Sequence, residues 1–169
     1  MPEVALSVTC ERMSPTTRGD ALELLAPFLT EDVHYLASST VYGDGGRAAI
    51  ERAVDLFIAR PELGFVWLAR AHDPAAVTGH SAVGGCVVCY AISTSRGALV
   101  AKLDDVSVRT GWQGRGIGTA MLQALVHELR HGGVTRIDTA CHRDNAPARR
   151  FYERLGFESL HEERIALLL

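Results

Sequence analysis

The sequence predicts one α/β domain of mixed α+β character, with elements in the order βααβββαβαβ. Two observations carry this: stretches with helical spacing of apolar residues alternate with short runs rich in β-branched and aromatic residues. A third is "WQGRGIGTAM", residues 112–121, where Gly114, Gly116 and Gly118 fall between a strand and a good helix former. A chain of 169 residues, 47% apolar, has material for one core, so a single domain over residues 1–169 is expected.

"EVALSVTCERM" reads as the first strand, followed by a helix from about Thr17 to Leu29 with Ala21, Leu24, Leu25 and Phe28 on its apolar face. "VHYLASSTVYGDGG" reads as a long loop. "RAAIERAVDLFIAR" then carries Ile50, Val54, Leu56 and Phe57 at near-helical spacing and stops before Pro61. "GFVWLARA", "GGCVVCYAIS" and "ALVAKLDDVSVR" read as an antiparallel meander broken by the turn-like "HDPAAVTGH" and "TSRG". After the glycine stretch, a helix with Met121, Leu125 and Leu129 on its buried stripe ends at Gly132-Gly133. A strand at "TRIDTAC", a short helix from Asn145 to Leu155 and a last strand near "RIALLL" complete the order.

The formal net charge of −3 is spread along the chain, and no basic run of the kind that neutralises a phosphate backbone is present, which argues against nucleic acid as a partner. No apolar run approaches the roughly 20 residues that span a bilayer, and "MPEVALSVTCERM" lacks the basic start and long apolar middle of a signal peptide, so no membrane association and a cytoplasmic location are expected. Cys10, Cys86, Cys89 and Cys141 sit among apolar neighbours and read as reduced, buried small hydrophobes. Cys86 and Cys89 form a C-x-x-C inside a predicted strand, without the turn or second ligand pair of a zinc site. His127 and His131 have metal-ligand spacing on a helix but no third ligand, and read as a solvated face; no metal is expected.

At a strand-to-helix junction, successive backbone N–H groups lack intrahelical partners and the helix dipole is positive, so glycines there can cradle a phosphate. They can equally permit a turn or close packing. A dinucleotide fingerprint fails, because Gly114 and Gly116 lead to Thr119 and Met121 where the third glycine belongs. A P-loop fails because Gly118 is followed by Thr119 and Ala120 instead of lysine and a hydroxyl residue. Asp138 stands about 20 residues beyond Gly118, as a ribose-binding acid would, but too little chain follows for a doubly wound sheet.

"QGRGIG", Gln113 to Gly118, resembles the Q/R-x-x-G-x-G/A acyl-CoA signature of the GNAT family of N-acetyltransferases, and "NAPARRFYERLGF", Asn145 to Phe157, is similar to that family's second signature. The resemblance implies a mixed central sheet of about six to seven strands flanked by about four helices. It implies an acceptor side in residues 1–97 and an acetyl-CoA side in residues 98–169. By the same resemblance, acetyl-CoA is the co-substrate, held at its pyrophosphate by the backbone of Gln113, Gly114, Arg115, Gly116, Ile117, Gly118 and Thr119, with Arg115 and Arg109 adding charge. Val106, Ser107 and Val108 would pair with the pantetheine arm, and Asn145 would touch it from the opposite side or cap its helix. The sequence itself is silent on oligomeric state; many relatives dimerise, so the resemblance leaves a homodimer open.

Moving an acetyl group to an amine requires removal of an amine proton and a proton for the departing thiolate, whose thiol has a pKa near ~8.5. Tyr152 stands where the family places its acid, and an unperturbed phenol, pKa ~10, keeps its proton at neutral pH; the alternative is packing beside Ala148, Phe151 and Leu155. In "KLDDVSV", Asp104 shares strand parity with Lys102, Val106 and Val108, unless a bulge alters it. The segment resembles "L-E-D-x-x-V" of the polyamine and thialysine branch, with Asp104 in place of the glutamate base. This implies Asp104 as a base acting through water and Asp105 as a contact to a cationic acceptor, against the alternatives of solvated strand surface or an ion pair with Lys102 or Arg109. Glu31, Asp32 and Asp44 would add negative charge to the acceptor side, which fits a small cationic amine such as a polyamine, an aminoglycoside or a lysine-like amino acid. The rival readings are a non-catalytic acyl-CoA-binding module and a nucleotide-binding oxidoreductase.

Overall fold

A computed structural model describes residues 6–36, 46–72 and 81–168. Its five strands form one mixed sheet in sequence order. Strands β1 (Ser7–Arg12), β2 (Gly64–His72), β3 (Ala82–Ser93) and β4 (Ala98–Val108) pair antiparallel, and β5 (Ile137–Thr139) lies parallel to β4. Helices α1 (Arg18–Glu31), α2 (Val33–Leu36) and α3 (Arg47–Ala59) precede β2; α4 (Ile117–His131) links β4 to β5, and α5 (Ala146–Arg154) follows β5.

Strand periodicity divides the core between the two sheet faces. Phe65, Trp67, Ala69 and Ala71 of β2 pack with Ile117, Met121, Leu122, Leu125 and Leu129 of α4. Val66 and Leu68, one residue out of phase, pack with Ala21, Leu22, Leu24 and Leu25 of α1 and Ile50 and Val54 of α3. Phe28 and Leu56 fall outside that buried set, and Leu56 is exposed. Helix α4 ends as its sequence indicates: Gly133 takes a left-handed conformation, and the N–H of Val134 donates back to Leu129 at 3.0 Å.

The described residues hold five strands rather than six to seven, because no strand forms near Arg164. β5 is only three residues long and its ladder with β4 stops at Thr139, so little edge is available for a sixth strand. The apolar run there is also consecutive rather than alternating, and Ile165 and Leu167 stay almost fully exposed. Part of the expected loop, Val33–Leu36, is a single helical turn. Residues 37–45 of that loop, the first residues of the expected first strand and most of "HDPAAVTGH" lie outside the described residues.

Two irregularities shape the middle of the sheet. Val87 pairs with Asp104 and Gly85 with Ser107, so the single residue Cys86 faces both Asp105 and Val106: a β-bulge on β4. Beyond Leu103, moreover, β4 has β3 on one side and, among the described residues, no strand on the other, so β4 and β5 form a fork whose vertex is the Leu103–Thr139 pair.

Gly85 is fixed by packing. A Cβ there would lie 2.4 Å from the Leu24 side chain and 2.8 Å from the Trp67 carbonyl oxygen. Gly85→Ala is therefore expected to destabilise the fold by about 1–3 kcal/mol, read as a lowered urea midpoint with an unchanged slope; an unchanged midpoint would show that α1 lifts without cost.

Candidate active site

The fork brings together residues from β4, the turn before α4, the end of β5, and α5. On β4, the bulge reassigns the faces that regular alternation implies. Lys102 and Asp104 stay on one face, where Lys102 Nζ holds Asp104 Oδ2 at 2.6 Å. Val106 and Val108 turn to the opposite face and pack against the α4-side core, so Asp104 does not share their face as strand parity predicts. Asp105 occupies the extra position with φ +51, a left-handed conformation that Asp tolerates better than most residues. Burial, reinforced by the neighbouring Asp104 charge and partly offset by Lys102, raises its pKa from 3.8 to about 6. The Ser107 hydroxyl oxygen is buried with no hydrogen-bond partner among the described residues.

The turn between β4 and α4 is built from left-handed glycines: φ is +83 at Gly111, +74 at Gly114 and +79 at Gly116, and nothing lies within 4 Å of where their Cβ atoms would be. Gly116 caps α4 without a side-chain hydrogen bond, so the first N–H groups of a 15-residue helix face this open turn. Gly118 serves packing instead, since a Cβ there would lie 3.3 Å from the Phe151 ring of α5. Ile117 is buried in the core and offers only its backbone, while Thr119 is exposed. The Gln113 amide donates to the Val108 carbonyl at 3.0 Å, tying the turn to the end of β4. Arg115 rests its guanidinium 5.1 Å above the Trp112 ring, at the mouth of the turn. Arg109 is committed elsewhere: its Nε donates to the Ala82 carbonyl at 2.7 Å and its Nη2 lies 3.6 Å from Glu23 of α1, so its charge is not directed at the glycines.

On the other arm of the fork, the Asn145 Oδ1 accepts the Ala148 N–H at 3.1 Å with Pro147 in the first turn, a complete N-cap that leaves the Asn145 amide NH2 outside the capping bond. Gly156, at φ +89, ends α5 and sends Phe157 back against the core. Tyr152 lies between the Phe151 and Phe157 rings, with centroids at 5.4 and 5.3 Å. At the end of β5, the Thr139 hydroxyl donates to the Leu103 carbonyl at 3.0 Å. Burial pushes the phenol up to about 12; Cys86, Cys141 and Asp104 push the same way and Thr139 opposes them. Tyr152 is therefore protonated throughout the neutral range.

Asp104, Asp105, Val106, Ser107 and Val108 thus lie on the stretch of β4 without a β5 partner, the glycine turn follows it, and Tyr152 packs against the same core from α5, the helix that Asn145 caps. Thr139 gave no sequence signal, because its hydroxyl acts only through the Leu103 carbonyl, 36 positions away. Of the cysteines, Cys86 is buried and Cys10 and Cys89 are half-buried; all four are free. Cys141 is exposed rather than buried, because β5 ends at Thr139 and leaves it beyond the strand. His127 and His131 are exposed, with ring centroids 4.9 Å apart, and among the described residues no group of three or more His, Cys, Asp or Glu could hold a metal.

The sequence model of the Acetyltransferase (GNAT) family matches residues 50–157, from α3 through the turn after α5. Mycothiol acetyltransferase of Corynebacterium jeikeium (strain K411) is 43% identical over 51 residues, which are 30% of this chain and 15% of that protein's length. Among solved structures, a transcriptional regulator from Bacillus halodurans C-125 superimposes with a TM-score of 0.72 at 21% identity, covering 96% of this chain and 100% of that one. An acetyltransferase of Trypanosoma brucei gives 0.65 at 22%, covering 96% and 100%. An aminoglycoside acetyltransferase from an uncultured soil metagenomic sample gives 0.65 at 16%, covering 96% and 97%. These structural likenesses speak to the fold.

The raised pKa of Asp105 means that the folded chain holds this proton more tightly than the unfolded one. The corresponding stability is full below about pH 3.8 and lost as the pH rises through about 6. Asp105→Asn, which keeps a residue suited to the left-handed position, is expected to match the parent near pH 3.5 and to exceed it by up to about 3 kcal/mol above pH 7. Urea unfolding at both pH values checks this; an equal difference at the two would contradict it.

Proposed function

Because the chain belongs to the GNAT acetyltransferase family, we propose that it is an acyltransferase that moves an acetyl group from acetyl-CoA to the primary amine of a small cationic acceptor by direct attack in a ternary complex. The observation that carries this reading is the fork itself, with an open glycine turn at the start of α4 and a half-strand edge of β4 leading inward from it. When bound, acetyl-CoA supplies an acetyl group activated as a thioester.

The residues present fit such a co-substrate. The open space at Gly114 and Gly116 and the uncapped N–H groups of α4 suit a pyrophosphate, which the backbone of Gln113 to Thr119 would hold. Arg115, pre-set on Trp112, would add charge to that cradle. The β5-facing backbone of Val106 to Val108, which has no strand beside it among the described residues although Gln113 already donates to the Val108 carbonyl, would hydrogen-bond the amide-bearing arm, and the Asn145 amide would meet it from α5. The buried, unpartnered Ser107 hydroxyl supports a polar ligand beside this edge.

Tyr152 would hold its proton at Oη until the departing sulfur needs it, a role supported by a phenol that stays protonated at neutral pH. The resemblance implies Asp104 as base and Asp105 as cation contact; the Lys102–Asp104 ion pair supports the reverse division. Asp105, half-buried and not ion-paired with Lys102, has a proton affinity matched to neutral pH and would take the amine proton, directly or through a water. Asp104 with Lys102 would then set the charge at the acceptor's approach. The neighbouring carboxylates, and exposed Glu31 at the end of α1, favour a cationic amine; Asp44 lies outside the described residues.

Thiol release from acetyl-CoA, followed against polyamines, aminoglycosides, lysine-like amino acids and mycothiol-type acceptors, tests the reading. Amine-dependent release is expected; coenzyme binding without release from any amine would leave a non-catalytic module. Tyr152→Phe should lower kcat about 10²–10⁴-fold while the acetyl-CoA Kd stays within about twofold, and an unchanged kcat would reduce Tyr152 to packing. Gly116→Val, which adds a branched side chain and strains a left-handed position, should remove coenzyme binding by calorimetry while melting still shows a folded protein. kcat/KM should fall below about pH 6 and lose that limb in Asp105→Asn but not in Asp104→Asn; the opposite pattern would return the base to Asp104.

A further inference from the structure

The sequence has one lysine. Of its 17 lysine and arginine residues, Lys102 is the single lysine and the other 16 are arginines. A guanidinium keeps its charge at every working pH and is no nucleophile, whereas a lysine amine becomes one when it loses a proton. Lys102 is therefore the one side chain suited to forming a lasting amide with an activated acyl group.

That amine is held at the inner end of the fork. Leu103 is the last β4 residue with a β5 partner, and Asp104 is the first without one among the described residues. Lys102 Nζ lies 2.6 Å from Asp104 Oδ2, so a side chain rooted in the paired part of β4 carries its nitrogen forward to the opening. The two share a face of the strand, with Cys89 and Val87 opposite them on β3. Neither is closed off from solvent: the Lys102 side chain is 46% exposed and that of Asp104 29%. In the reading proposed above, the coenzyme arm enters at the glycine turn and follows Val108 to Val106, and the next β4 residues inward are Asp105 and Asp104. The reactive end of the arm and the only lysine amine thus converge on one carboxylate.

We propose that Lys102 is a self-acetylation site, the chain's own amine taking the acetyl group when no acceptor occupies the fork. The proposal rests on the transferase reading and its use of acetyl-CoA. In the step, Lys102 Nζ gives one ammonium proton to Asp104 Oδ2 and attacks the thioester carbonyl carbon. The N–C bond forms and the C–S bond breaks; of the two protons that Nζ gives up, one ends on the coenzyme A thiol and one in solvent. The resulting amide carries no charge, so the modification breaks the ion pair and leaves Asp104 without its counter-charge at the acceptor's approach.

Two measurements test this. With ¹³Cε-lysine incorporated, the single lysine gives one side-chain resonance, and saturating coenzyme A, which carries no acetyl group, is expected to shift it in the parent but not in Gly116→Val. Acetyl-CoA without any amine is expected to add the mass of one acetyl group to the intact parent. The addition should resist hydroxylamine, which strips thioesters from cysteines, and fragmentation should map it to Lys102. Its rate should be independent of protein concentration and about tenfold or more above that of the urea-unfolded parent. Lys102→Arg, which keeps a cation beside Asp104, should lose the addition; should that variant fail to fold, fragment mapping of the parent still decides. An unmoved resonance, an addition confined to other positions, or equal rates in the folded and unfolded chains would overturn the proposal. Amines acetylated while Lys102 stays unmodified would overturn it alone and leave the transferase standing. Failure of coenzyme A to bind by calorimetry, or binding with no transfer to amine or lysine, would overturn both.

Discussion

The site depends on β4 having a β5 partner for only three residues. Backbone N–H and C=O groups inside a protein are rarely left unpaired, yet from Asp104 to Val108 the β5-facing edge of β4 carries no strand. A bulge at Asp105 accompanies the divergence and accounts for the change of face between Asp104 and Val106. Around this opening the remaining parts are arranged: the glycine turn at its outer end, α5 with Tyr152 across from β4, and Thr139 at its vertex. A β5 ladder that continued to Val108 would close the edge.

The core explains why the opening does not collapse. Leu103, one residue before the divergence, is 1% exposed, and Val106 and Val108 beyond it pack on the α4-side core. The fork is thus anchored from behind by apolar burial while its polar edge stays free. Gly118 contributes by letting Phe151 approach α4 closely, which seats α5 near the sheet without a fully buried residue of its own. The rigid parts are apolar and the available parts are backbone, an arrangement suited to holding an extended polar chain.

Much of this was legible from local patterns. The element order through α5 apart from the helical turn at Val33–Leu36, the glycine end of α4, the Asn145 cap with Pro147 and the strand placement of Cys86 and Cys89 follow from short-range rules of periodicity and capping. The features that were not legible depend on register or on distant partners. Strand parity placed Asp104 with Val106 and Val108, and one extra residue opposite Cys86 reversed that relation. The apolar run after Arg164 looked like a strand, but a strand exists only with an edge to pair with, and β5 is too short to supply one. Cys141 looked buried by composition and is exposed because its strand ends two residues earlier. The ion pair of Asp104 with Lys102 was one of the alternatives its spacing allowed, while Thr139 became visible only through its bond to the Leu103 carbonyl across the fork.

The central claim is that the unpaired half of β4 and the glycine turn together receive one extended ligand. Amide hydrogen exchange with and without coenzyme A tests it most directly. The account predicts slower exchange on binding in residues 106–108 and 113–119 together, with β1 and the β2–β3 ladder unchanged. Protection of the glycine turn without the β4 edge, or of neither, would contradict it.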